Sequence, residues 1–533
     1  MVTNVTKLGI RVSRLVFPLF LISLFACCLF VALKKILWTD ELLSLYSTQD
    51  NNLRHMIDGM SVGINAMPPL YFLVTWTLFH LGIKSILFFR LLTCCCFALA
   101  AFLFWRKFRK QHNELVVTSL VILIFGASPL VFNQLAEFRV YGFLFLLLSL
   151  LFLYSSKPLD PDSRGKNILI LGVLMALCSL THIYGVIYGM SLGLAYVVHD
   201  AISKKFHWKI YAALAAGMAM LPLLWWKNLI LQSESGKPHS WMVVPEPFDL
   251  TRMITFLLPY GVRMLKRFNP ALLTIDVLLI ALVVVLVSSR KTLFFSKKPF
   301  THQERFYIIL SCSWIVIPMM LSYVISHAST SIFNERYFIP GILGLCYLGM
   351  LVVERLNVKP PAIAAICLIA VLAGFRSEIK ESIEFKNDHG AAAMSKISRM
   401  GVQPVLFESP NEYLVAKHYF PQLNSVYPLD WSRALDKENF LGAVVDYKLL
   451  DGINNYYKPG GVMQVKDILQ PGRVYYVFES DRYNWLEHYV HNKTLSVQHI
   501  YHLNDWIYLY QVKVNRSRDS ALTLTSQQLS VAK

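Results

Sequence analysis

The sequence predicts a polytopic α-helical membrane protein with a C-terminal extracytoplasmic α/β domain. Hydrophobic residues fill 55% of the 533 positions and charged residues only 16%, a balance too apolar for a soluble chain, so apolar surface must face lipid. Apolar runs near bilayer length recur through the first two thirds. From Arg376 onward the character changes: 18 Lys and Arg stand against 17 Asp and Glu, where the preceding part holds 33 against 16. The division expected is a membrane domain over 1–375, with a first outer loop at 34–85, and a separate domain over 376–533.

The first run, Leu15 to Leu33, follows Lys7, Arg11 and Arg14 and has no small-x-small cleavage site, which reads as an uncleaved first helix. Ten further runs could span: Ile86–Phe104, Leu115–Leu130, Val140–Tyr154, Ile168–Leu180, Tyr184–Val198, Ile210–Trp226, Ala271–Ser288, Tyr307–Ile325, Tyr337–Val353 and Pro361–Phe375. Pro68–Gly82 is apolar but short of the roughly 20 residues a span needs. If it crossed, the run Arg106 to Lys110 would lie outside, against the positive-inside rule. If it stays in the outer interface, that run and the basic residues at Lys157/Arg164/Lys166, Lys204/Lys205/Lys209, Arg290/Lys291/Lys297/Lys298 and Arg355/Lys359 are all cytoplasmic. The arrangement expected is about eleven spans, N-terminus in and C-terminus out.

The net charge of +18 is spread over loops rather than gathered in one patch, which speaks against nucleic acid. All nine cysteines lie in apolar segments, where they act as small hydrophobes, so neither a disulfide framework nor a thiolate metal site is implied. No internal repeat is visible. Beyond 400, the runs Pro404–Phe407, Arg473–Phe478 and Trp506–Val512 read as strands, and Asn411–Tyr419 and Asp481–Val490 as helices, an order that favours a small α/β domain.

On this topology the polar clusters share the outer side. Asp40-Glu41 follows the first span, and two carboxylates beside a bilayer are costly unless hydrated or used; the plain alternative is a solvated, helix-capping pair. Glu137, Arg139 and Tyr141 open the fourth span, with Glu137 and Tyr141 four apart on one helical face; an interfacial anchor is the plain alternative. His182 and Tyr184 sit at a tight outer turn, where imidazole and phenol could hydrogen-bond a sugar or phosphate. Glu335-Arg336-Tyr337 repeats the acid-Arg-Tyr theme. The loop from Asn228 to Pro270 carries Lys237, His239, Arg252, Arg263, Lys266 and Arg267 against the charge rule, which suggests an anionic partner at headgroup level. Arg263, Lys266 and Arg267 could share one amphipathic helix.

In this order the motifs resemble the GT-C glycosyltransferases, in particular the bacterial relatives of protein O-mannosyltransferases and of the lipid A aminoarabinose transferase. The matching residues are Asp40-Glu41, Pro68-Pro69-Leu70-Tyr71-Phe72, Ser128-Pro129 with Glu137 to Tyr141, Thr181 to Tyr184, and Glu335-Arg336-Tyr337, over about residues 10 to 375. The resemblance implies an outer-face cavity for a polyprenyl-phosphate sugar, Asp40 as base or acceptor-orienting carboxylate with Glu41 beside it, and loop cations such as Arg263, Lys266 and Arg336 on the lipid phosphate. Tyr71, Glu137, Arg139, Tyr141, His182, Tyr184 and Tyr337 would line the substrate site. Many relatives have His where this chain has Met67. A divalent cation near Asp40 and Glu41 is the one cofactor left open.

The function expected is transfer of a sugar from a polyprenyl-phosphate donor to a glycolipid, polysaccharide or protein, at the outer face of a bacterial inner membrane. A flippase of lipid-linked sugars is the main rival. It would call for charges deep inside spans and broken helices, whereas polar groups here gather at span ends. A non-catalytic assembly protein is the second rival.

Overall fold

The computed structural model describes residues 2–516 apart from 160–163, 236–241, 259–298, 356–359, 435–442, 480–484, 505–506 and most of 366–389. The chain divides into two compact units. Unit 1 comprises Met1–Lys34, Met67–Trp226 and Met242–Ile383; unit 2 comprises Lys35–Ala66, Lys227–Trp241 and Glu384–Lys533. The expected cut after 375 falls close to the last of these boundaries. What a single cut does not anticipate is that most of the first outer loop, with Asp40 and Glu41, is grouped with the C-terminal segment.

Unit 1 is a helical membrane body. Among the described residues six helices are long and apolar enough to cross a bilayer: Arg11–Lys34, Ile86–Phe108, Tyr141–Leu159, Ile183–Ser203, Trp208–Glu234 and His302–Ala328. A seventh candidate is the pair Glu114–Gly126 and Pro129–Leu135, bent by 63°. The break has a local cause. Ser128 precedes a proline and is extended at φ −84° and ψ 117°, because the proline ring disfavours the helical region for its predecessor. Among the other expected runs, Ile168–Leu180 lies in the short apolar helix Gly165–Thr181, and Tyr337–Val353 is a turn followed by the helix Gly341–Arg355. Ala271–Ser288 and about half of Pro361–Phe375 lie outside the described residues. Pro68–Gly82 folds as the helix Leu70–His80, which at ~1.5 Å per residue reaches only about half of a ~30 Å hydrocarbon layer.

Close helix approaches in unit 1 depend on glycine. A Cβ on Gly142 would meet the Thr93 side chain at 2.6 Å and its carbonyl at 2.8 Å, and one on Gly344 would meet the Ser311 carbonyl at 2.8 Å. All nine cysteines are free.

Unit 2 contains a six-stranded sheet in the order β3-β2-β1-β4-β6-β5: β1 Val405–Phe407, β2 Ser425–Leu429, β3 Val462–Gln464, β4 Val474–Glu479, β5 Leu495–His502 and β6 Tyr508–Val514. β1 to β4 pair in parallel, while β6 runs antiparallel to both β4 and β5. The helices Pro410–Tyr419 and Ala443–Tyr456 follow β1 and β2 in the chain, supplying the crossovers that parallel strands require. β1 and β2 are buried along their whole length, as expected for central parallel strands covered on both faces. One core side gathers Leu406, Val426, Val477, Leu486, Tyr510 and Val512.

Candidate active site

In unit 1 the polar residues converge where the helix Ile183–Ser203 begins. The preceding helix ends at Thr181, and the turn is tight because Gly185 follows: a Cβ there would fall 2.1 Å from the Cys178 carbonyl oxygen. His182 is the N-cap, extended at φ −161°. Its Nδ1 accepts the Tyr184 backbone N–H at 3.1 Å. Burial pushes the His182 imidazole down to about 3, with Arg336 and Arg139 adding to the effect. A neutral ring whose Nδ1 accepts a hydrogen bond carries its proton on Nε2. The turn therefore presents an uncharged N–H donor in the field of two guanidinium groups.

Tyrosines enclose this donor. The Tyr337 ring lies 5.0 Å from that of His182 and 4.6 Å from that of Tyr184, and Tyr141 lies 6.2 Å from His182 and 6.1 Å from Tyr337. The Tyr184 hydroxyl donates to the Ile332 carbonyl at 2.8 Å, tying the turn to the strip before Asn334. The Arg336 guanidinium sits 5.2 Å from the Tyr141 ring and 5.5 Å from the Tyr337 ring, within the range where a cation is held over an aromatic face. Arg336, Tyr337 and Glu335 belong to a 3-10 turn, Glu335–Phe338, whose first N–H groups are capped by Asn334. Burial raises the Glu335 carboxyl above its ordinary value, against the opposing pull of Arg252 and Arg336.

The segment from Glu137 to Tyr141 differs from its expected geometry. The helix begins only at Tyr141, so Glu137 and Tyr141 are not one turn apart on a helical face. The cause is local: the Glu137 carbonyl accepts the Thr93 hydroxyl at 2.7 Å, and Phe138 stacks on Phe89 at 4.6 Å. Both contacts hold the link as a bend against the helix Ile86–Phe108. Glu137 and Arg139 are buried, at 0% and 4% exposure. An Arg139 guanidinium nitrogen reaches the Met67 sulfur at 3.9 Å, so a soft thioether stands beside this guanidinium. Tyr71 is buried with Phe72 and Phe143 as ring neighbours. Arg263 and Lys266 lie outside the described residues.

Asp40 and Glu41 form the first turn of the helix Thr39–Gln49 in unit 2, where exposed N–H groups and the helix dipole favour negative charge. Their environments differ. Glu41 is fully buried with its carboxylate 3.6 Å from the buried Lys35 ammonium, while Asp40 is only half-buried. The helix start is pinned from within the same unit: Asn411 Oδ1 accepts both the backbone N–H and the hydroxyl of Thr39, and the Tyr419 hydroxyl accepts the Leu37 N–H at 2.8 Å. As for a divalent cation, Glu41 already faces an ammonium, and no group of three His, Cys, Asp or Glu suited to a metal occurs among the described residues. The dyad by itself is a poor fit to a protein-held metal.

Sequence reasoning left two participants out of its site. Glu335 and Arg252 come together beside Arg336, and the outer basic loop was the signal for Arg252. Lys35, the buried partner of Glu41, also went unread, and nothing in its spacing announces a buried pair.

No curated protein matches the sequence. Residues 48–254 match a family model described only as a domain of unknown function, DUF6311. Among solved structures, ArnT from Cupriavidus metallidurans in the apo state is similar over 93% of this chain and 98% of its own, at 12% identity and a TM-score of 0.56. ArnT from the same organism bound to undecaprenyl phosphate is similar over 92% and 97%, at 12% identity and 0.53. The chain thus has an ArnT-like GT-C fold, as the resemblance of its motifs implied, and it is an integral membrane protein; neither the similarity nor the six or seven candidate spans among the described residues decides the count of about eleven or the N-in, C-out orientation.

Proposed function

We propose that this chain is a membrane glycosyltransferase that moves a sugar from a polyprenyl-phosphate donor to a lipid, polysaccharide or protein acceptor at the outer face of a bacterial inner membrane. The observation that carries the reading is the neutral His182 donor in the field of Arg139 and Arg336 within a wall of tyrosines. Its support from outside the chain is the shared fold with a protein crystallised with undecaprenyl phosphate.

The chemistry follows from what a phosphate leaving group needs. Asp40 takes the proton from the acceptor hydroxyl, the oxygen attacks the anomeric carbon in line, and the bond from that carbon to the phosphate oxygen breaks, inverting the configuration. The polyprenyl phosphate departs with the bonding pair. Arg336 and Arg139 offset its charge, and the His182 Nε2–H donates to it without carrying charge that would have to be desolvated. Tyr141, Tyr184 and Tyr337 supply faces and hydroxyls for the sugar. Glu41, paired with Lys35, holds the helix that carries Asp40.

Purified protein supplied with a radiolabelled polyprenyl-phosphate sugar tests this reading. Release of polyprenyl phosphate together with label on an acceptor is expected; movement of the labelled lipid across a vesicle membrane without release supports the flippase instead. Arg336→Gln is expected to raise the donor KM about tenfold or more, since a charge-assisted contact to phosphate is lost. An unchanged KM removes Arg336 from the donor site.

A further inference from the structure

Two adjacent carboxylates at a reaction centre invite a divalent cation, yet in unit 2 the positive charge beside the dyad belongs to the protein. The Lys35 ammonium lies 3.6 Å from the Glu41 carboxylate, and the two side chains are 1% and 0% exposed. On the reading of Asp40 as the base, we propose that Lys35 is a built-in counter-cation that closes the dyad to metals, so that transfer proceeds without a divalent cation.

Three observations support it. A metal held by a Glu41 oxygen at an ordinary ligand distance would stand within roughly 6 Å of the Lys35 ammonium, out of water, where like charges repel strongly. Moving the ammonium aside would strand a buried charge. Second, Asp40 and Glu41 lie in the first turn of the helix Thr39–Gln49, whose N–H groups and dipole favour anions and disfavour a cation. Third, the donor set is short. Hard divalent ions collect about six oxygens, and zinc about three or four protein ligands. Beside the dyad, Asn411 Oδ1 already accepts the Thr39 N–H and hydroxyl, and no group of three His, Cys, Asp or Glu suited to a metal occurs among the described residues. That leaves the half-buried Asp40 carboxylate, one ligand where a resident ion needs several. The ammonium offsets the charge of Glu41 without coordinating Asp40, whose lone pairs can then take the acceptor proton.

The test uses the full-length protein in detergent, dialysed against EDTA. Its metal content is read by inductively coupled plasma mass spectrometry, and its melting temperature is followed in titrations with Mg²⁺, Mn²⁺, Ca²⁺ and Zn²⁺. Metal well below one ion per chain is expected, with no saturable rise in melting temperature at micromolar concentrations. Lys35→Ala removes the counter-cation and is expected to gain what the parent lacks: a saturable rise with Mn²⁺, absent again in Lys35→Ala/Glu41→Gln. Transfer by the parent protein should stay within about twofold with and without EDTA. A stoichiometric ion that survives dialysis and is lost in Asp40→Asn or Glu41→Gln overturns the proposal, as does transfer that EDTA abolishes and a metal restores. A folded Lys35→Ala with no response to Mn²⁺ overturns the role of Lys35, and the parent measurements decide the rest even where that variant fails to fold. Absence of transfer under every condition counts against the function proposed for the chain, whereas metal content and melting are read without it.

Discussion

In unit 2, Glu41 leaves water paired with Lys35 at 3.6 Å; in unit 1, His182 leaves water by giving up its charge beside two guanidinium groups. Both are buried ionisable groups at helix starts, and each avoids the cost of an isolated buried charge by a different route. The paired acid gives a charge-matched base for a helix, while its neighbour Asp40 stays half-buried. The neutral imidazole adds no further positive charge beside Arg139 and Arg336, which fits the proposed role of the region in binding a phosphate. Adjacent carboxylates in the sequence thus have unequal standing, and the difference is set by Lys35 rather than by the dyad.

The sharpest way to break this comparison is to remove one half of the buried pair. Glu41→Gln removes the carboxylate that faces the buried Lys35 ammonium and is expected to cost about 3–5 kcal/mol, read as a lower melting temperature of the detergent-solubilised protein. Lys35→Met combined with Glu41→Gln should recover most of that loss. If the double variant is as unstable as the single one, the pair is not what holds the helix.

The imidazole side is sharpened by pH. The folded value of His182, about 3, lies below the ordinary histidine value near 6.5, so between them the unfolded chain binds a proton that the folded chain does not. Stability is then full above about pH 6.5 and falls as pH falls through that window, by up to about 1.4 kcal/mol per unit. His182→Gln should flatten this part of the stability profile. A slope that survives the substitution assigns the effect to another group.

The smallest effect expected is at Asn411. Asn411→Ala removes the acceptor for the Thr39 N–H and hydroxyl and should cost about 1–2 kcal/mol. Transfer should also fall, because the turn that carries Asp40 is less fixed. Loss of stability with transfer unchanged would separate the anchor from the chemistry.

How much of this could be read in advance follows from the range of each interaction. β1, β4 and β6 were legible as short β-rich runs flanked by turn residues, close to their observed bounds. β2 escaped because Pro428 sits inside it, and proline speaks against a central strand. β5 escaped because its second half, with His499 and His502, is polar and largely exposed. The meeting of Tyr141, His182 and Arg336 was foreseeable only as a shared side of the membrane; their approach depends on the Gly185 turn and the Thr93 contact, which join distant parts of the chain. The bend at Glu137 was misread as helix because the competing partner of its carbonyl, Thr93, is 44 residues away. The association of the first outer loop with the C-terminal segment left no local trace at all, since Thr39 and Asn411 are 372 residues apart.

The division of labour between the two regions is tested most directly by measuring donor binding and single-turnover transfer together in Asp40→Asn. The account expects donor affinity within about twofold of the parent protein and a transfer rate at least about a hundredfold lower. Transfer at the parent rate would contradict the role given to Asp40, and loss of donor binding in step with transfer would contradict the separation of the base from the phosphate site.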